Sequence, residues 1–129
     1  MKMAHTILYV DDNATNRQFA RRVLVGMGYI LVEAEDAIAG LDIAANEVPD
    51  LILMDVNLPE LEGTVATAKL KATPELCHIP VIAITADDTQ SVRELCFQSG
   101  CDAYLGKPVS PTHLLETVRQ FLPQDRITA

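Results

Sequence analysis

At 129 residues the chain has the length of one domain, and its 49% hydrophobic content excludes an intrinsically disordered chain. A domain of this size removes roughly 65–70% of its unfolded surface from water on folding, enough for a sizeable core. The net charge of −8 excludes a nucleic-acid-binding surface on this domain by itself. No apolar run approaches the roughly 20 residues of a membrane span, and Met1–Thr6 leads straight into a strand without the apolar stretch of a signal peptide. A cytoplasmic protein is expected. Its three cysteines (Cys77, Cys96 and Cys101) lack paired spacing and read as reduced thiols; Cys77-His78 lacks the second half of a zinc site.

Strand and helix patterns alternate five times. A first strand over 6–11 leads to a helix over 14–27 with Phe19, Ala20, Val23, Leu24 and Met27 on one face, stopped by Gly28. A second strand over 29–34 precedes a helix over 37–47, whose inward residues are predicted to be Ile38, Leu41 and Ala45. Pro49-Asp50 turns the chain into a third strand over 51–55. The helix over 63–72 is weakly patterned, with Ala66 and Leu70 inward, and Pro74 closes it. A fourth strand over 80–85 leads to a helix over 89–99 with Val92, Leu95 and Cys96 on one face. A fifth strand over 102–106 precedes a helix with Ser110 as N-cap, Pro111 at its first position and a stripe of Leu114, Val118, Phe121 and Leu122. Strands one, three and four are continuous apolar runs, as a sheet covered on both faces requires. Five such units predict a doubly wound, three-layer α/β sandwich with right-handed crossovers.

The polar residues at the strand ends carry the chemistry. Asp11 and Asp12 end the first strand, Asp55 the third and Thr85 the fourth, and Lys107 follows the fifth. In a parallel sheet these ends share one edge, so the side chains converge. Three carboxylates in one small site need a compensating hard cation such as Mg²⁺. With a hydroxyl and a lysine added, the set reads as a phosphoryl-transfer site built on an aspartate. Each residue also has an ordinary reading: Asp11 and Asp12 as helix caps, Asp55 as a turn residue, Thr85 as a β-favouring residue and Lys107 as a solvated cation. The coincidence of four strand ends favours the site. Neither a P-loop, nor a GxSxG elbow, nor a GxGxxG turn occurs.

On these residues the chain resembles the receiver domain of a two-component or phosphorelay response regulator, of the single-domain type. The motifs are VDDN (10–13), LILMDVNLPELEG (51–63), PVIAITA (80–86) and GCDAYLGKP (100–108). The resemblance spans residues 5–122 and leaves 123–129 as a short C-terminal tail. It implies a (βα)5, flavodoxin-like fold with a five-stranded parallel sheet in the order 2-1-3-4-5. It implies that Asp55 accepts a phosphoryl group from phosphohistidine on a histidine kinase or a histidine phosphotransfer protein. Mg²⁺ (or Mn²⁺) would be held by Asp12, Asp55 and the backbone carbonyl of Asn57, with Asp11 acting through water. Thr85 and Lys107 would bond the phosphoryl oxygens, Tyr104 would be the switch aromatic, and Lys107-Pro108 would be cis. Slow self-phosphorylation and autodephosphorylation are the only activities implied. Output would run through the face of the fourth helix, fifth strand and fifth helix to a downstream protein target, with room for a homodimer formed on phosphorylation. If the chain is complete, its tail leaves no space for an effector domain.

Two other readings start from the same residues. A haloacid-dehalogenase-like phosphatase also uses a strand-end Asp, a Thr or Ser, and a Lys. Its nucleophile motif is DxD, whereas Asn57 stands here at the second acid, and its metal pair follows the nucleophile instead of preceding it. An unphosphorylated adaptor of the receiver fold usually lacks part of the acidic set, which is complete here.

Overall fold

The computed structural model describes residues 4–58, 61–87 and 89–123. Pro59 and Glu60 of the motif after Asp55, and residues 124–129 of the expected tail, lie outside the described residues. Five strands and five helices alternate: β1 Thr6–Val10, α1 Ala14–Gly26, β2 Ile30–Ala34, α2 Ala37–Glu47, β3 Leu51–Asp55, α3 Gly63–Lys71, β4 Val81–Thr85, α4 Gln90–Gln98, β5 Ala103–Gly106 and α5 Pro111–Phe121. All neighbouring strands are parallel, in the order β2-β1-β3-β4-β5. The direction of winding reverses between β1 and β3, which opens a crevice beyond their C-terminal ends.

The pleat sorts the strand side chains onto two faces. Leu8, Val10, Ile52, Met54, Val81 and Ala83 pack toward α2, α3 and α4. Ile7, Tyr9, Leu51, Leu53, Ile82, Ile84 and Leu105 pack toward α1 and α5. Every residue of β3 and β4 is buried, and each large apolar side chain contributes roughly 1.5–3 kcal/mol.

Local chemistry sets the helix boundaries. Asn13, Asp36, Thr89 and Ser110 each accept a hydrogen bond from a backbone N–H of the first turn. Pro111 opens α5 as predicted. Met27 caps α1, and Gly28 follows in the left-handed region at φ 97°.

Three packing expectations are corrected. The buried face of α2 is Ala37, Gly40 and Ala44, while Ile38 is 59% exposed and Ala45 is exposed. Small residues win because this helix approaches β1 closely: a Cβ on Gly40 would lie 2.7 Å from Val10 Cγ2. Leu95 of α4 is exposed although its neighbour Cys96 is buried, since α4 covers the sheet along a narrow stripe. Met27 is also exposed, because α1 ends one residue before it.

Candidate functional site

Register brings the two principal carboxylates together. β1 pairs with β3 so that Val10 faces Met54, and the next residues along, Asp11 and Asp55, leave the sheet side by side. By strand parity both point to the α1/α5 side, following Tyr9 and Leu53. Asp11 and Asp55 are buried, while Asp12 is exposed. One oxygen from each of the three carboxylates lies within 4.8 Å of the others.

Each carboxylate is held by named donors. On Asp11, Oδ1 accepts from the Asn13 N–H at 2.9 Å, and Oδ2 accepts from the Tyr9 hydroxyl at 2.8 Å and Asn16 Nδ2 at 3.2 Å. The Arg17 guanidinium donates to the Asp11 carbonyl at 2.7 Å. On Asp55, Oδ1 accepts from the Asn57 N–H at 3.1 Å and Oδ2 from Lys107 Nζ at 3.3 Å. The same ammonium lies 3.7 Å from Asp11 Oδ2. Lys107 reaches this position because its own N–H donates to the Thr85 carbonyl at 2.8 Å, extending the β4–β5 ladder by one bond. The Lys107–Pro108 peptide that follows is cis. Behind Asp55, the first residue of α3 packs so closely that a Cβ on Gly63 would collide with the Asp55 carbonyl oxygen.

Burial and the negative charge of Asp11 push the Asp55 carboxyl up to about 6, against the opposing pull of Lys107 and the Asn57 N–H. Burial, and then Asp11, push the Tyr9 phenol upward, so Tyr9 is a neutral donor. Among the described residues, three carboxylates cluster here and the Lys107 ammonium lies within 4 Å of two of them, and this set of negative oxygen donors suits a hard divalent cation.

Tyr104 packs against the core on the α2/α3/α4 face and lines a shallow groove with Gly106 and Lys107. Thr85 is fully buried, and its Oγ1 accepts from the Asp87 N–H at 3.0 Å; no hydrogen bond to Asp55 occurs. The Tyr104 hydroxyl donates to the Asp87 carbonyl at 2.9 Å, and Arg93 of α4 lies 5.2 Å from the Tyr104 ring centre. Asp87 therefore joins both residues through one backbone unit. The structure thus gathers Asp11, Asp12, Asp55 and Lys107 at one point, with Asn57 bound to Asp55, and sets Thr85 and Tyr104 in a second, linked group. Tyr9, Asn16, Arg17 and Gly63 support the site without having been expected. Tyr9 carries a sequence signal in hindsight: it stands two residues before Asp11 and so shares its face. A groove of about 480 Å³ runs beside the site, lined in part by Phe19, Ile84 and Pro108.

Comparison with known proteins agrees with this geometry. The sequence model of the response regulator receiver domain matches residues 7–119. The polar-differentiation response regulator DivK of Brucella ovis is 39% identical over 120 residues, covering 93% of this chain and 98% of that protein. The receiver domain of the sensor histidine kinase PA1611 from Pseudomonas aeruginosa, solved with a magnesium ion coordinated in its active site cleft, superposes with a TM-score of 0.86 at 33% identity, covering 94% of this chain and 99% of that one. A CheY-like receiver domain protein from Methanospirillum hungatei gives 0.85 at 31% identity, over 91% and 92% of the two chains. By sequence, by strand order and by the acidic cluster at its sheet edge, the chain belongs to the response regulator receiver domain family.

Proposed function

We propose that this chain is a phosphoacceptor switch, with residues 5–122 acting as one receiver domain and Asp55 as the acceptor. The observation that carries the reading is the pair of bonds on Asp55: Asn57 N–H on one oxygen and Lys107 on the other, in a cluster with the buried Asp11 and the exposed Asp12. A carboxylate so held has little orientational freedom to lose before attack. It is ionised above its pKa of about 6, and so nucleophilic at neutral pH.

In the proposed transfer an Asp55 oxygen forms the new P–O bond as the P–N bond of a phosphohistidine breaks. The electron pair leaves with the imidazole of a histidine kinase or histidine phosphotransfer protein. The transition state is loose, so positioning and charge stabilisation carry most of the catalysis. Lys107 offers its ammonium to the phosphoryl oxygens, and Thr85 its hydroxyl hydrogen. Asp11, Asp12 and Asp55, with the Asn57 carbonyl, would hold Mg²⁺ or Mn²⁺; the similar PA1611 receiver carries a magnesium ion in its active site cleft. When bound, that ion supplies positive charge opposite the phosphoryl oxygens. Self-phosphorylation from small phosphodonors and slow autodephosphorylation would be its only turnover.

Drawing Thr85 toward a phosphoryl group would disturb its bond with Asp87, and Asp87 also receives the Tyr104 hydroxyl. This supports a switch from Thr85 through Asp87 to Tyr104, biasing a two-state equilibrium at the face of α4, β5 and α5. That face would bind a downstream protein or a second copy of the chain. The test is mass spectrometry of the protein with Mg²⁺ and acetyl phosphate beside Asp55→Asn. A phosphoryl-sized gain absent from the variant supports the reading; an equal gain in the variant overturns it.

A further inference from the structure

We infer that Cys96 and Cys101 form a dithiol site at the C-terminus of α4 that closes to an intramolecular disulfide by exchange with a disulfide-bearing thiol oxidant.

The end of α4 is a Schellman cap. The Cys101 N–H donates to the Cys96 carbonyl at 3.1 Å, and the Gly100 N–H donates to the Phe97 carbonyl at 3.1 Å. Gly100 supplies the left-handed residue at φ 110°. In this motif the residues at the two ends of the longer bond, here Cys96 and Cys101, bring their side chains into contact, usually as an apolar pair. Here both partners are thiols, buried in the same apolar cluster, and the Cys101 thiol also lies 3.9 Å from Thr67 Oγ1. A backbone folded back on itself by that bond brings the two Cα atoms toward the 4.4–6.8 Å range in which disulfides form. The third cysteine, Cys77, is exposed and separate.

The exchange balances without another reactant. Cys101, slightly exposed where Cys96 is sealed, attacks one sulfur of the oxidant as a thiolate and expels the other as a thiol. Cys96 then attacks the Cys101 sulfur of the mixed disulfide and expels the second thiol. Two protons and two electrons leave the protein, and the oxidant becomes two thiols. Burial pushes both thiols up, Cys101 to about 12, so reaction waits on opening of the cap. The bridge would tie the last turn of α4 to the entry of β5, two elements that also meet where Arg93 covers Tyr104.

The experiment exposes the folded chain and its Cys77→Ser variant to oxidised glutathione, followed by alkylation after unfolding and peptide mapping. The expected product is a peptide carrying both Cys96 and Cys101, lighter by two hydrogens, refusing two alkyl groups and restored by a dithiol reductant. In Cys96→Ala the reaction should stop at a glutathione adduct on Cys101. If Cys96 and Cys101 stay fully alkylatable while Cys77 in the wild type is completely glutathionylated, the proposal is overturned. It is equally overturned if the two residues carry separate glutathiones.

Discussion

The hydroxyl of Tyr9 donates a 2.8 Å hydrogen bond to Asp11, its neighbour two residues along the same strand face, in a buried setting. One acidic oxygen of the site is thereby tied to a neutral donor, beside the charged Lys107 at 3.7 Å. Tyr9→Phe keeps the ring and deletes only the donor. The expected loss is about 1–2 kcal/mol in urea denaturation, since a buried carboxylate forfeits one of its bonds.

Asp55→Asn should stabilise the metal-free protein above neutral pH. The folded state raises the Asp55 carboxyl to about 6, so it binds a proton more tightly than the unfolded chain does. By linkage, ionised Asp55 costs stability at high pH, and that cost fades as pH falls through 6 toward the ordinary carboxylate value near 4. The variant should exceed wild type by on the order of 1–3 kcal/mol at pH 8 and lose the advantage by about pH 4. Added Mg²⁺ should narrow the gap at pH 8 by stabilising wild type more than the variant. Thermal melts across this range would reveal the crossover; a gap that is constant with pH would contradict the shared-charge account.

Lys107→Ala removes the one ammonium placed within 4 Å of both Asp11 and Asp55 among the described residues. The Asp55 carboxyl should then titrate above about 6, observable by carboxyl NMR. Acceptance of phosphate from acetyl phosphate should fall, while Mg²⁺ affinity should be largely kept, since a cation competes with the metal for the same oxygens. A loss of Mg²⁺ affinity as large as that of Asp12→Ala would overturn the assignment.

Gly63→Ala tests the buttress behind the acceptor. The added methyl would strike the Asp55 carbonyl, a backbone atom that cannot rotate away. The expected cost is about 1–3 kcal/mol, with a disproportionate fall in phosphorylation rate because the acceptor itself must shift.

Val48 ends α2 in the left-handed region at φ 46°, an unfavourable place for a β-branched residue, and the residue is 44% exposed. Val48→Asn should relieve the strain at little packing cost. A gain of about 0.5–1 kcal/mol is expected, read as a higher urea midpoint with unchanged slope.

Much of this protein was legible in the chain because its signals are local. Alternating apolar strands and amphipathic helices, the cap Ser110, Pro111 at the head of α5 and Gly28 after α1 are written within a few residues of where they act. The polar residues at the strand ends marked the edge of the sheet where a site belongs. Tertiary structure decided what depends on how closely elements approach. The inward face of α2 fell to Ala37, Gly40 and Ala44, since Val10 leaves no room for larger side chains, and hydrophobic periodicity cannot see a neighbouring strand. The charge balance of Asp55 was likewise set across the sheet: Asp11, 44 positions away, and Lys107, 52 positions away, reach it only because β1–β3 and β4–β5 pair in one register. Shifting either register by one residue would turn those side chains to the other face and dissolve the site.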